Sequence, residues 1–116
     1  MIVNLTTKVR ARGQDGTWIE LKPGQGCPTL KELLLVALRS PAEADARQGF
    51  KEKSDRFFIE KRIAPEDYGD DASNIPALEL TEGECAILRD RVGRVFLQAS
   101  LVGAIGELLD TKVKPA

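Results

Sequence analysis

Three hydroxyl residues, each followed three positions later by a glutamate, mark where helices of this chain begin. The pairs are Thr29 with Glu32, Ser40 with Glu43, and Thr81 with Glu84. In such a capping box the hydroxyl accepts a hydrogen bond from a backbone N–H of the first turn, and the glutamate accepts one from the N–H of the cap residue. Because each cap stabilises its helix by about 1 kcal/mol, the boxes predict three helix starts.

The first two predicted helices differ in polarity. Residues 30–39 are apolar around most of the helix, which predicts a central position in the core. Residues 41–63 are densely charged, and their few apolar side chains predict packing on one side only. Those apolar side chains form a narrow stripe of Ala42, Ala46, Phe50 and Phe57.

The carboxyl-terminal part predicts two more helices. Apolar residues recur at helical spacing after Leu80, which predicts a third helix, and the polar residues at 97–100 predict a bend. A last helix is expected over 100–110, with Leu101 and Leu109 on its apolar face. The longest uncharged run here is too short to cross a membrane, since a span needs about 20 apolar residues.

Three glycines interrupt this apolar segment, at Gly93, Gly103 and Gly106. A glycine inside a helix costs about 1 kcal/mol relative to alanine, so their presence predicts that another element packs very close to them. Two alternatives remain open. Aromatic rings from the stripe of the second helix fill the gap, or the same helix of a second copy of the chain enters it.

The amino-terminal residues alternate between apolar and polar side chains, which is typical of a half-buried strand. The segment RGQDG then predicts a turn, and TWIELK a second strand. We therefore expect strands at about 2–11 and 17–22, joined as a hairpin. The prolines and glycines of 23–28 end the second strand, because they cannot continue a ladder.

These elements predict a mainly helical α+β fold, in which an N-terminal β-hairpin packs on a bundle of about four helices. The length of 116 residues fits a single domain. Its expected parts are a hairpin and turn at 1–28, two helices at 29–63, an acidic loop at 64–78, a helix pair at 79–110 and a tail at 111–116.

The composition argues against several kinds of chemistry. The chain has no histidine, so the commonest general base and the usual nucleophilic triads are missing. Its two cysteines, Cys27 and Cys85, are too few for a zinc site, and Cys85 is expected in the core. The acidic loop lacks EF-hand spacing and is interpreted as solvated. We expect no catalytic residues, no metal site and no cofactor.

Nucleic-acid binding is the alternative that the charges leave open. The formal net charge of −1 argues against binding by bulk positive charge. A local basic face is possible on the third helix, where Arg89, Arg91 and Arg94 are candidates for phosphate contacts. Interleaved acidic residues favour a salt-bridged surface instead.

The segment LELTEGECAILRDRVGRVFLQASLVGAIGELLD, residues 78–110, resembles the ends of short accessory proteins of tailed bacteriophages and prophages. In such proteins a capped helix is followed by an arginine-bearing middle and an ending similar to LVGAIGELL. The resemblance implies a small, non-enzymatic protein of a bacterial cytoplasm. It assigns no functional residues.

Taken together, the sequence predicts a protein-interaction or assembly protein whose partner is another protein or a second copy of itself. The expected contact residues lie on one flank of the last helix and are Val102, Gly103, Gly106 and Leu109. The start of the chain has no apolar signal-peptide core, which predicts a cytoplasmic location. No membrane contact is expected.

Overall fold

The computed structural model describes residues 2–21, 24–41, 47–69, 75–96 and 98–109. In this part of the chain, four helices and one two-stranded antiparallel sheet form a mainly helical α+β fold, which confirms the predicted class. The elements in chain order are β1 (Ile2–Asn4), α1 (Leu30–Arg39), α2 (Phe50–Ile63), a 3-10 helix (Pro65–Tyr68), β2 (Ala77–Glu79), α3 (Glu82–Val95) and α4 (Ala99–Leu109).

Two of the three capping boxes are formed as predicted. At the start of α1, the Glu32 N–H donates to Thr29 Oγ1 over 3.2 Å, and the Thr29 N–H donates to Glu32 Oε1 over 2.9 Å. Thr81 and Glu84 make the same pair of bonds at the start of α3. The third box lies outside the described residues at Glu43, and Ser40 forms the C-cap of α1.

Helix α2 is shorter than the predicted helix over 41–63. Residues 42–46 lie outside the described part, residues 47–49 are not α-helical, and α2 begins at Phe50. Its N-cap is Gly49, whose N–H donates to the carboxylate of Glu52. A glycine has no side chain that could accept a hydrogen bond from the first turn. Only one of the two bonds of a capping box is therefore made at this helix start, the one from the Gly49 N–H to Glu52.

The strands differ from the prediction in extent and in partner. β1 covers only Ile2–Asn4, and it pairs with β2 in the register Ile2 to Glu79, Val3 to Leu78 and Asn4 to Ala77. The expected hairpin over 2–11 and 17–22 is reduced to one bridge, between Arg12 and Trp18. The prediction placed Ala77 and Leu78 in the acidic loop and Glu79 in the helix pair, because a three-residue strand is too short to show a period.

The backbone after β1 bonds to the start of α1 instead of to a hairpin partner. The Leu30 N–H donates to Thr7 O over 2.8 Å, and the Lys31 N–H donates to Leu5 O over 3.0 Å. The first N–H groups of a helix have no partner within the helix. The amino-terminal segment supplies these partners directly after its last bond toward β2, in which the Leu5 N–H donates to Pro76 O over 2.8 Å.

The core is aliphatic. Its buried side chains come from the amino-terminal segment, from the helices α1, α3 and α4, and from the end of α2. α1 is central, as predicted, and buries Leu30, Leu33, Leu34, Ala37 and Leu38. Cys85 lies in this core, and both cysteines are free thiols.

Within the described residues of the chain, no other element packs close to the three glycines, so the predicted filling of the gap from within the chain is wrong. Apart from its chain neighbours and the backbone of its own helix, a Cβ atom added to Gly93, Gly103 or Gly106 would meet no atom of the described residues within 4 Å. The expected aromatic filling is absent, since Phe50 is exposed. The physical reason is the direction of α4, which turns its residues Leu101, Ile105 and Leu109 into the core and leaves Gly103 and Gly106 on the outer flanks.

Because space at Gly103 is open, we expect Gly103→Ala to stabilise the protein. The gain comes from helix propensity and is about 0.5–1 kcal/mol in the free energy of unfolding, measured by urea denaturation. Gly16 serves as the matched control. It also has open space around it, but its φ of +80° lies in the left-handed region, so Gly16→Ala is expected to destabilise the fold. A destabilised Gly103→Ala variant would contradict the open flank.

Candidate interaction surface

The aromatic residues of this chain lie mainly outside its core. Five of the six are exposed, at 45% for Trp18, 88% for Phe50, 41% for Phe57, 58% for Phe58 and 42% for Tyr68. Phe96 is half-buried against the core. Aromatic side chains normally supply much of the apolar contact area of a core or an interface. Here the aliphatic core leaves them available for an interface.

Four of these residues form one surface on α2 and the 3-10 helix. We call Phe50, Phe57, Phe58 and Tyr68 the aromatic face. The ring of Phe57 lies 5.4 Å from that of Tyr68 at an interplanar angle of 85°, and 5.7 Å from that of Phe58 at 60°. These tilted contacts hold Phe57, Phe58 and Tyr68 together as a cluster, and Phe50 lies two helical turns before Phe57 on the same side of α2.

This arrangement corrects the predicted packing of α2. Phe50 and Phe57 were expected to form the stripe that faces the core, and they face outward. The buried side of α2 consists of Ile59, Glu60 and Ile63, near its carboxyl end. The stripe was misassigned because it was traced over the whole of 41–63, whereas α2 starts at Phe50 and packs through its last two turns.

Three lysines accompany the aromatic face. At about 100° per residue, Lys51, Lys53 and Lys61 project from the same half of α2 as the phenylalanines. Asp55 lies at the border of this half and forms an exposed ion pair with Lys51 over 3.0 Å. Lys61 Nζ lies 5.6 Å from the centre of the Phe57 ring, within cation–π distance. The exposed half of α2 is therefore both apolar and basic.

A network of ion pairs fastens this surface to α1. Arg39 Nε lies 2.5 Å from Glu60 Oε2, and Arg39 Nη2 lies 2.6 Å from Asp67 Oδ2. These hydrogen bonds, that to Asp67 first, raise the pKa of Arg39. The Tyr68 hydroxyl donates to Glu60 Oε2 over 2.5 Å, which raises the pKa of Tyr68. Tyr68 is thus positioned by the same carboxylate that anchors α2.

The acidic loop residues within the described part are used in ion pairs. Glu66 binds Lys31 of α1 over 2.5 Å, and that hydrogen bond lowers the pKa of Glu66. Asp67 binds Arg39. Asp70 and Asp71 lie outside the described residues. No group of three or more potential metal-ligating side chains occurs in the ranges that the structure describes.

A second tie joins α2 to α3. Arg62 forms an ion pair with Glu84 and also donates to the carbonyl of Glu79 over 2.6 Å. Burial by itself would raise the pKa of Glu84, but the hydrogen bonds from Arg62 and from Thr81 outweigh it, so the pKa of Glu84 is lowered. One carboxylate therefore caps α3 and binds α2.

The amino-terminal half of α2 stands away from α3. A groove of about 280 Å³ separates the two helices, with side chains of both charges along it. Its lining residues are Gln48, Glu52, Asp55, Arg56, Ala86, Ile87, Asp90 and Arg91. Because of this groove, the aromatic face is supported by the carboxyl-terminal half of α2 and by the 3-10 helix.

The predicted partner-binding residues are only partly accessible. Leu109 is fully buried in the core, so it is not available to a partner. Gly103 is exposed, and Val102 and Gly106 are half-buried. Val102 and Gly106 line a small apolar slot of about 100 Å³ between α3 and α4.

The three arginines predicted for nucleic-acid binding do not form one surface. Arg91 is only 1% exposed and donates to the carbonyls of Ala37 over 3.3 Å and of Ser40 over 2.7 Å, at the end of α1. Arg94 binds Asp90, and Arg89 reaches the carbonyl of Leu109. A buried guanidinium at a helix C-terminus meets the negative end of the helix dipole. Arg91 is therefore a structural residue.

Comparisons with protein-family models, with curated proteins and with solved structures found no significant match to this chain. The resemblance of residues 78–110 to phage accessory proteins stays a prediction. None of the described helices is long and apolar enough to cross a membrane.

Replacing Arg91 should weaken the fold strongly. Arg91→Met leaves buried carbonyls of α1 without their charged donor, and we expect a loss of about 2–3 kcal/mol in the free energy of unfolding. Urea denaturation measures this loss. Arg94→Met on the same helix is the control and should cost much less, because its ion pair with Asp90 is exposed. Equal losses in both variants would contradict the structural role of Arg91.

The lowered pKa of Glu84 predicts an acid-sensitive contribution to stability. The folded state favours the ionised carboxylate, so this contribution is complete above the ordinary value of 4.5 and is lost as the pH falls through the lowered folded pKa. We expect Glu84→Gln to be less stable than the wild type at about pH 7, and to lose less stability between about pH 5 and about pH 3.

Urea denaturation across this pH range measures the effect of Glu84→Gln. Glu107→Gln is the control, because Glu107 is exposed on α4 and makes no ion pair within the described residues. It should follow the wild type throughout. A Glu84→Gln variant with the same acid dependence as the wild type would show that the Arg62 bridge adds nothing to stability.

Proposed function

We propose that this protein is an interaction module that binds an acidic partner protein through its aromatic face. The observation that carries the proposal is the outward position of the aromatic residues. Burying an apolar side chain stabilises a fold by about 25 cal/mol per Å². A chain that builds its core from aliphatic residues and exposes Phe50, Phe57 and Phe58 together retains these rings for contact with another molecule.

The composition of the face supports a protein partner. Aromatic residues are enriched in protein interfaces, and a few of them supply most of the binding energy. The rings of Phe57, Phe58 and Tyr68 are tilted against one another and offer an uneven apolar surface. Aliphatic side chains of a partner can fill the spaces between such rings.

The lysines support an acidic partner over a second copy of the chain. Lys53 and Lys61 project from the same half of α2 as the rings, so carboxylates on a partner would complement them, whereas Lys51 is already paired with Asp55. In a symmetric dimer the same patch faces itself. Two copies joined through this face would bring like charges together, which opposes self-association here.

An accessory role in a bacterial host agrees with this proposal. The resemblance of residues 78–110 implies a small, non-enzymatic protein of phage or prophage origin, and a role in binding is compatible with the absence of catalytic chemistry that it implies. The contact surface that we propose is α2, in place of the flank of α4 expected from the sequence.

Photocrosslinking in the organism that carries the gene tests the proposal. We expect a benzoylphenylalanine at position 50 to form an adduct with one acidic protein, because this side chain is almost completely exposed. The same group at Glu107, which is exposed on α4, is the control and should not form that adduct. The Phe57→Ser, Phe58→Ser double variant should weaken binding of the identified partner by about 30-fold or more, as expected for loss of central aromatic anchors.

Three outcomes would contradict the proposal. The first is an equal adduct pattern at both positions. The second is an adduct at position 50 that survives the double serine substitution unchanged. The third is an adduct only between two copies of this chain. Thermal unfolding of the double variant shows that the fold is intact, since these rings lie outside the core.

A further inference from the structure

A second surface lies at the amino-terminal segment and is basic. Along residues 8–12, Val9 and Ala11 are buried while Lys8, Arg10 and Arg12 are exposed. We call these three exposed residues the basic stripe. In extended backbone, alternate side chains on one face follow each other at about 7 Å. The stripe is therefore a short row of cations on one side of the chain.

The pair of Arg12 and Trp18 lies at the end of the basic stripe, and we call this pair the aromatic platform. Arg12 and Trp18 face each other across the single bridge of this region, and the Arg12 guanidinium lies 3.8 Å from the centre of the Trp18 ring. The Arg12 Nη1 atom also donates to Gly16 O over 2.8 Å. Trp18 is 45% exposed, so part of the indole remains open to solvent.

Hydrogen bonds hold this platform in place. The Gly13 N–H donates to Thr17 O and the Ile19 N–H donates to Ala11 O, each over 2.8 Å. The Ser100 hydroxyl of α4 donates to Arg12 O over 2.6 Å and ties the loop to the helical bundle. The platform is formed before any ligand arrives, which reduces the entropy lost on binding.

The neighbouring carboxylates accept hydrogen bonds from side-chain and backbone donors of the same region. Asp15 accepts hydrogen bonds from the hydroxyl and the N–H of Thr17, and these lower the pKa of Asp15. Glu20 accepts from the Gly26 N–H over 2.7 Å. Within the described residues, no ion pair neutralises the basic stripe.

We propose that the basic stripe and Trp18 form a binding site for single-stranded nucleic acid. The phosphates lie along the stripe, and a base stacks on the paired Arg12 and Trp18. Single strands are bound in this way by basic tracks combined with aromatic stacking, largely without sequence preference. A duplex keeps its bases stacked inside, so it cannot use Trp18. This site is separate from the aromatic face and from the arginines of α3.

The sequence itself provides the reporter for the test. Trp18 is the only tryptophan of the chain, so its fluorescence reports stacking at this site alone. Titration with an oligothymidylate of about fifteen nucleotides should quench this fluorescence until the site is saturated. Because about three phosphates would be neutralised, the logarithm of the binding constant should fall with the logarithm of salt concentration with a slope of about −2.

Substitutions distinguish the contribution of base stacking on Trp18 from the contribution of the charges of the basic stripe. Measured by anisotropy of the labelled oligonucleotide, Trp18→Ala should weaken binding by about 5-fold to 100-fold. The Lys8→Gln, Arg10→Gln double variant should weaken binding and change the salt slope from about −2 to about −0.7, because Arg12 remains. Lys53→Gln, a charge removed from the aromatic face, is the matched control and should bind like the wild type. Circular dichroism confirms that each variant is folded.

Several results would overturn the proposal. Among them are an unchanged Trp18 fluorescence at low salt and equal affinity of the wild type and Trp18→Ala. Binding of a duplex of the same length as tightly as the single strand would also refute stacking on Trp18. Equal quenching by a polyglutamate peptide would identify the site as a general acceptor of acidic chains, which is a different function.

Discussion

The fold depends on the bonding of the amino-terminal segment to the start of α1. The first N–H groups of a helix lack partners within the helix, and leaving them buried and unpaired is costly. Here the carbonyls of Leu5 and Thr7 accept from Lys31 and Leu30, and Thr29 accepts from Glu32. The same segment pairs through β1 with β2, directly before α3. One extended stretch therefore positions the starts of two helices and buries its own aliphatic side chains between them.

This arrangement separates stability from recognition. The core is closed by aliphatic residues and by buried polar contacts such as those of Arg91 at the end of α1. The residues of the aromatic face take almost no part in it, so they can be changed with little effect on folding. The ion pairs of Arg39 attach α2 and the 3-10 helix to this core and hold Tyr68 beside the phenylalanines. Recognition thus uses residues that the core does not need.

The structure places basic side chains on particular surfaces, although basic and acidic residues are mixed along the sequence. Along α2, acidic and basic residues alternate closely, and the net charge of the chain is −1. The helix places Lys53 and Lys61 on the side of the rings and Lys51 beside Asp55, while Glu60 is buried against α1 and Tyr68. Along residues 8–12, buried apolar side chains alternate with exposed basic side chains, and the basic ones form a second row of cations. A chain that is almost neutral as a whole therefore presents two basic surfaces with different aromatic partners.

The sequence by itself determined the fold class, the start of α1 and α3, the break before α4 and the burial of Cys85. These features depend on local hydrogen bonds and on the period of apolar side chains, and both are determined by residues that are close together in the sequence. Only the tertiary structure decided the strand partner of β1, the outward turn of Phe50 and Phe57, the open flank at Gly103 and the burial of Arg91. Each of these depends on which distant segment lies alongside, as when the end of α1 receives Arg91 from a helix 51 residues further along the chain. A helical period shows that a helix has an apolar side, but the space left by its neighbours determines which side is buried.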